Sequence, residues 1–143
     1  MACQCVDRHA IVDLLNTYAA CLDTRDWPGL NNVFHQQATG IYGVTLDGRA
    51  AIVASIRGFL DGCGPSQHLL GNYQISIEGD HAESSTNARV LHLGTGKQAA
   101  LKPYEAIGVY RDRYVRSDEG WRIIHRHFDV HITLGDINVL QPA

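Results

Sequence analysis

Residues 67–93 read QHLLGNYQISIEGDHAESSTNARVLHL, and the fold class turns on them. From Gln67 to Glu78, and again from His81 to Leu93, apolar and polar residues alternate in the manner of strands with one covered face. Gly79-Asp80 between them is a turn dipeptide, so the two runs predict an antiparallel hairpin. Towards the C-terminus, 94–103 reads as a loop, Glu105 to Arg116 as a third strand, 117–120 as a turn and Trp121 to Thr133 as a fourth strand. Residues 134–143 are expected to form a loose tail.

Upstream of residue 67 the period changes. Ala10, Ile11, Leu14, Leu15, Tyr18, Ala19 and Leu22 follow the i, i+3, i+4 spacing of one buried stripe, predicting a helix over 6–23 with Asp7 at its start. Asp26 is placed to cap a second helix from Trp27 to Phe34, with Pro28 in its first turn. An extended stretch from Gly40 to Leu46 and the turn Asp47-Gly48 lead to a third helix over 49–60, its apolar side made by Ile52, Ile56, Phe59 and Leu60. Helices first and hairpin strands afterwards define an α+β domain in which a curved antiparallel sheet is partly covered by three N-terminal helices around one pocket.

The chain has 143 residues, the length of one domain, expected to span 1–143 with its core over 7–133. Twelve Lys and Arg against 15 Asp and Glu leave a net charge of -3, which argues against a nucleic-acid surface. Arg111, Arg113 and Arg116, interleaved with Asp112, read as a solvated strand edge. No apolar run approaches the ~20 residues of a membrane helix, and Met1 to Arg8 lacks the pattern of a secretory signal. The expectation is a cytoplasmic protein whose four cysteines are thiols. Cys3 and Cys5 form a C-x-C pair without the second pair a zinc site needs, so no metal is expected.

A few residues stand out chemically. Asp23 ends the first helix, where a carboxylate opposes the helix dipole and contributes nothing to helix stability. His68 opens the first long strand, and a histidine steadied by a carboxylate in a dry pocket is the minimum equipment for taking a proton from carbon. On the last strand Ile124, Arg126, Phe128, Val130 and Ile132 are expected on one face, making Arg126 the single charge in an apolar stripe. Such a guanidinium must meet a carboxylate or face a polar cavity. His125, His127, Asp129 and His131 fall on the opposite face, read as a polar outer surface; with Trp121, His125 and His127 are expected to form the surface of a homodimer or higher homo-oligomer.

Three segments in order resemble a known family. Ile11-x-x-Leu14-x-x-x-Tyr18-x-x-x-x-Asp23-x-x-Asp26-Trp27 followed by Phe34 resembles the opening of SnoaL-like (nuclear transport factor 2-like) domains. Gln67-His68-x-x-x-Asn72 resembles their central histidine strand, and Gly120-Trp121-Arg122-Ile123-x-x-Arg126 their closing strand. The resemblance is greatest to the branch containing scytalone dehydratase, bile acid 7α-dehydratase and hexachlorocyclohexane dehydrochlorinase. It implies a cofactor-independent lyase or isomerase acting on a small, apolar, cyclic substrate. In that reading His68 is the general base, Asp23 orients it, and Arg126 or Tyr18 meets the developing negative charge. Asn72, Trp27, Phe128 and Tyr110 are the expected substrate contacts. A polyketide-type aldol cyclase using the same dyad and a non-catalytic ligand-binding or assembly module remain the alternatives, because this fold hosts all three.

Overall fold

A computed structural model describes residues 3–141; the last two residues of the expected tail and the first two of the chain lie outside the described residues. The first helix, α1 (Cys5–Thr24), buries Ile11, Leu14, Leu15, Tyr18, Ala19 and Leu22, with Cys21 beside them. Asp7 does not cap it. Gln4 takes that place, and Asp7, in the first turn, accepts hydrogen bonds from Arg116 Nη1 at 2.7 Å and Trp121 Nε1 at 3.1 Å. At the other end, Asp26 N–H donates to the Cys21 carbonyl and Arg25 N–H to that of Leu22, the two bonds of a Schellman motif, with Arg25 left-handed at φ 60°.

The expected second helix is corrected to a five-residue 3-10 turn, Pro28–Asn32. Asp26 does accept the Gly29 N–H at 3.1 Å, but Phe34 is the first residue of strand β1 (Phe34–Ile41), which therefore begins well before Gly40. The reason is tertiary. Phe34 pairs with Ile123 on the last strand, and Leu30, Val33 and Phe34 are all fully buried there. β2 (Thr45–Asp47) folds back on β1, and α2 (Arg49–Leu60) buries Ile52, Ile56 and Leu60 while leaving Phe59 half-exposed.

The remaining strands are β3 (Ser66–Glu78), β4 (His81–His92), β5 (Tyr104–Ser117) and β6 (Gly120–Leu134). They form one six-stranded sheet in the order β2-β1-β6-β5-β4-β3, antiparallel except where β1 runs parallel to β6. The sheet is curved and unclosed, and with the helices it makes an α+β cone. Among the described residues no helix is long and apolar enough to cross a membrane.

Two bulges in β6 correct the expected alternation. Tyr114 faces Ile123 while Arg113 faces His125, so Ile124 is an extra residue, and Trp121, Ile123 and Arg126 are the buried positions. Past it, Gly108 pairs with Val130 and Ile107 with Ile132, so His131 is extra and Ile132 ends exposed. Trp121 is thus 4% exposed and packs inward, which removes it from the outer surface proposed for His125 and His127. Asp112 is corrected too: it is no solvated edge residue but lies in phase with Tyr110 and Tyr114, completely buried. The tail is corrected in part. Ile137–Leu140 forms a 3-10 turn capped by Asp136, whose carboxylate accepts the Asn138 N–H at 2.9 Å, and it buries Val139 and Leu140.

Candidate active site

Asp23 lies in the last turn of α1 and His68 is the third residue of β3. The Asp23 carboxylate faces the start of that strand. There Oδ1 sits 2.6 Å from His68 Nδ1, and Oδ2 accepts the His68 backbone N–H at 2.8 Å. Ser66 Oγ donates to Oδ1 at 3.1 Å. A carboxylate receiving these three donors places the imidazole proton on Nδ1 and leaves the lone pair on Nε2. The His68 side chain is 4% exposed and that of Asp23 24%. Burial works against ionising Asp23, but the hydrogen bonds from the His68 ring, the His68 amide and Ser66 outweigh it and hold its carboxyl below the usual range.

His68 faces a cavity of ≈ 340 Å³ lined from α1, α2, the concave sheet face and the C-terminal 3-10 turn. Its walls are largely apolar, with Leu22, Ile56, Val90 and Phe128 among them. The polar atoms it offers are those of two histidines and of several tyrosines. Tyr18 and Tyr42 hold their hydroxyls 3.2 Å apart. The Tyr18 ring stands edge-on to His68 with centroids 6.2 Å apart, and edge-on to Tyr110 at 5.6 Å. Burial, followed by the neighbouring Tyr18, pushes the Tyr42 phenol well above its ordinary value, so it stays protonated and able to donate.

Arg126 is placed behind this wall and not on it. Its guanidinium is stacked between the rings of Tyr18, 4.2 Å away, and Tyr110, 3.9 Å away. Nε and Nη2 donate to the two oxygens of Asp112 at 2.7 and 2.8 Å, with both side chains 0% exposed. Burial alone would favour discharging the guanidinium, but Asp112 overrides it and keeps the charge. The third nitrogen, Nη1, has no hydrogen-bond partner among the described residues. Of the two environments expected for a buried Arg126, the structure supplies a carboxylate.

The structure therefore gathers Asp23, His68, Tyr18, Tyr110 and Phe128 at or directly behind the cavity, with Arg126 one layer further out. Phe128 packs on Tyr110 with centroids 4.5 Å apart. Two expected contacts are elsewhere. Asn72 is exposed at a bulge of β3, with φ 52°. Trp27 lines a separate, open groove of ≈ 1080 Å³ beside α2, where its Nε1 donates to Asp61 at 3.1 Å. Neither Cys21 nor Cys63 is among the cavity-lining residues; the Cys63 thiol donates to the Leu93 carbonyl. On the outer face, His125 Nδ1 lies 2.7 Å from Thr39 Oγ1 and His131 Nε2 lies 3.0 Å from Asp129.

Sequence reasoning missed Tyr42, Tyr104, Asp112 and, above all, His92. His92 ends β4 in register with Ser66, so its ring stands 6.2 Å from that of His68. Nδ1 lies 3.1 Å from the Tyr104 carbonyl, which takes its proton as a hydrogen bond, and the ring stacks on that of Tyr104. Burial, the largest influence, brings its pKa down to about 4, so at neutral pH His92 presents an uncharged Nε2 acceptor. The signal was available: Ser84, Thr86, Ala88, Val90 and His92 share the inward period-two face of β4.

With the geometry established, similarity to known proteins adds a family. The model of the SnoaL-like domain matches residues 4–127. The uncharacterized protein Rv2910c of Mycobacterium tuberculosis is 31% identical over 126 residues, covering 84% of this chain and 82% of the relative. A candidate scytalone dehydratase from Novosphingobium aromaticivorans superposes with a TM-score of 0.83 at 20% identity, covering 96% of this chain and 93% of that one. The hexachlorocyclohexane dehydrochlorinase LinA-type3 of Novosphingobium barchaimii gives a TM-score of 0.79 at 16% identity, over 92% and 90% of the two chains. These solved structures share the nuclear transport factor 2-like fold with the cone described above. By sequence and by fold, this chain belongs to the SnoaL-like domain family.

Proposed function

We propose that the cavity is the active site of a cofactor-independent lyase of the dehydratase type, or of an isomerase using the same proton abstraction, on a small, apolar, cyclic molecule. The observation that carries this reading is the 2.6 Å contact between Asp23 and a nearly inaccessible His68 at the wall of a greasy cavity. The cavity volume lies at the small end of the ~300–1,000 Å³ typical of ligand pockets, which suits one or two rings. Dehydratase and dehydrochlorinase names among the proteins of similar fold support the same reaction class.

In this reading His68 Nε2 takes the proton from a carbon acidified by an adjacent carbonyl or aromatic ring. Asp23 stabilises the imidazolium that forms. The electron pair of the broken C–H bond becomes the new C=C bond, and the C–O bond to a neighbouring hydroxyl breaks. The Tyr18–Tyr42 hydroxyl pair donates to the departing oxygen or to a carbonyl oxygen gathering charge. The proton held by His68 then leaves with the hydroxide as water, restoring the neutral imidazole beside the Asp23 carboxylate. His92 Nε2 is free to accept a hydrogen bond from a substrate hydroxyl. Arg126 acts at one remove, holding the faces of Tyr18 and Tyr110.

The test is a panel of neutral cyclic β-hydroxy ketones and hydroxylated bicyclic compounds, with product masses followed over time. Loss of one water indicates elimination, and an unchanged mass with a new product indicates isomerisation or ring closure. His68→Ala should lower turnover by ~10²–10⁴-fold while the protein still unfolds cooperatively. Equal turnover by the wild type and His68→Ala would rule the mechanism out.

A further inference from the structure

Helices that end in a left-handed residue usually place glycine there, sometimes asparagine, because most side chains are strained at positive φ. Here the position is Arg25, at φ 60° and ψ 31°, two residues after Asp23. Its guanidinium spans the gap between the end of α1 and the start of β3. Nη1 donates to the Leu22 carbonyl at 2.6 Å and to Ser66 Oγ at 2.8 Å, and Nη2 donates to the Gly64 carbonyl at 2.7 Å. Glycine would end the helix with less strain but would supply none of these bonds.

The bond to Ser66 has a directional consequence. A hydroxyl that accepts from Arg25 has its own proton free for another acceptor, and Asp23 Oδ1 lies 3.1 Å away. Arg25 thus sets the rotor of Ser66, Ser66 occupies Oδ1 from one side, and the His68 ring occupies it from the other. The bond to Gly64 simultaneously ties the helix carrying Asp23 to the segment leading into the strand carrying His68. Both routes converge on one quantity, the placement of the carboxylate against the imidazole.

We propose that Arg25 is a positioning residue for the Asp23–His68 dyad, acting through Ser66 and through the α1–β3 junction. This rests on the dyad reading given above. Arg25 does not line the cavity, so its effect is on the geometry of the base and not on substrate contact.

The decisive measurement is proton NMR of the full chain labelled with nitrogen-15 in histidine. A short Nδ1–H···O contact to a carboxylate gives a far-downfield proton, and its disappearance in His68→Ala and Asp23→Asn assigns it. The expected result is that the signal moves upfield or broadens away in Arg25→Gln, Arg25→Gly and Ser66→Ala. Arg25→Gly is informative because its backbone is relaxed at this φ: a purely structural role predicts an unaltered dyad signal in a protein at least as heat-stable as wild type. Ser66→Ala leaves Arg25 bonded to Leu22 and Gly64, so it isolates the route through Ser66 from the one through the α1–β3 junction. An unchanged signal in Arg25→Gly and Ser66→Ala overturns the proposal while leaving the dyad intact. A wild-type spectrum lacking the signal, or keeping it in Asp23→Asn, removes the dyad reading itself and Arg25 with it.

Discussion

Replacing Asp112 by Asn tests whether Arg126 is a structural clamp or a substrate-facing charge. The substitution keeps size and one acceptor but deletes the negative charge opposite a guanidinium with no solvent exposure. Breaking a fully buried ion pair from one side costs ~3–5 kcal/mol, because the partner stays buried and uncompensated. Asn retains one of the two hydrogen bonds, which favours the lower end of that range. With a total stability of ~5–15 kcal/mol typical of such a domain, a loss of ~3 kcal/mol removes a large fraction. The melting midpoint should fall by roughly 10–15 °C, read by circular dichroism, with a matching drop in the urea midpoint. A paired change, Asp112→Leu with Arg126→Met, leaves no charge in the core and should recover much of the loss. Recovery will stop short of wild type, because stacking of the cation between Tyr18 and Tyr110, worth up to ~2 kcal/mol when desolvated, goes with it. An Asp112→Asn protein melting within about 2 °C of wild type would refute the clamp, since a loss that small is under ~1 kcal/mol.

Two further outcomes follow from the cavity. The pKa of His92 is about 4 when folded and near 6.5 when unfolded, so between those values the unfolded chain binds the extra proton. Stability is therefore complete above about pH 6.5 and declines as pH falls towards 4, by roughly 2–3 kcal/mol from this group. His92→Gln should flatten that part of the urea-stability profile, and an identical slope in the variant would contradict it. Tyr42→Phe removes a protonated phenol whose hydroxyl is bonded only to Tyr18 among the described residues. It should leave stability within ~1 kcal/mol. Turnover of a substrate found with the panel should fall ~10²-fold or more, and full activity would exclude the tyrosine pair as the donor.

Most of the candidate site was legible as residue types and element ends, and much less as contacts. Asp23 and His68 stand 45 positions apart, yet each drew attention through its place, one against the dipole at a helix end and the other at a strand start. Asp112 was misread because its neighbours Arg111 and Arg113 are charged and exposed. The period-two phase shared with Tyr110 and Tyr114 carried the correct answer. His92 was overlooked for the opposite reason: a single histidine in an inward row becomes informative only when β3 and β4 pair and bring it to His68. Asn72 and Trp27 show the converse failure. A bulge with a left-handed backbone turns one out of the sheet, and hydrogen bonding to Asp61 keeps the other beside α2.

Local periodicity alone determined that α1 and α2 are helices, that four long strands follow, and that the class is α+β, since each of those patterns is written in residues a few positions apart. Long-range pairing decided the rest. The parallel docking of β1 on β6 converts Val33 and Phe34 from a helix end into a strand entry, and one extra residue at Ile124 reverses which side chains of β6 face inward. The pairing of β6 with β5 gives Arg126 its carboxylate, and the junction of α1 with β3 gives His68 its own. Such contacts depend on where the sheet curls and where it slips by one residue, and a slip of one exchanges core for surface along the whole strand beyond it.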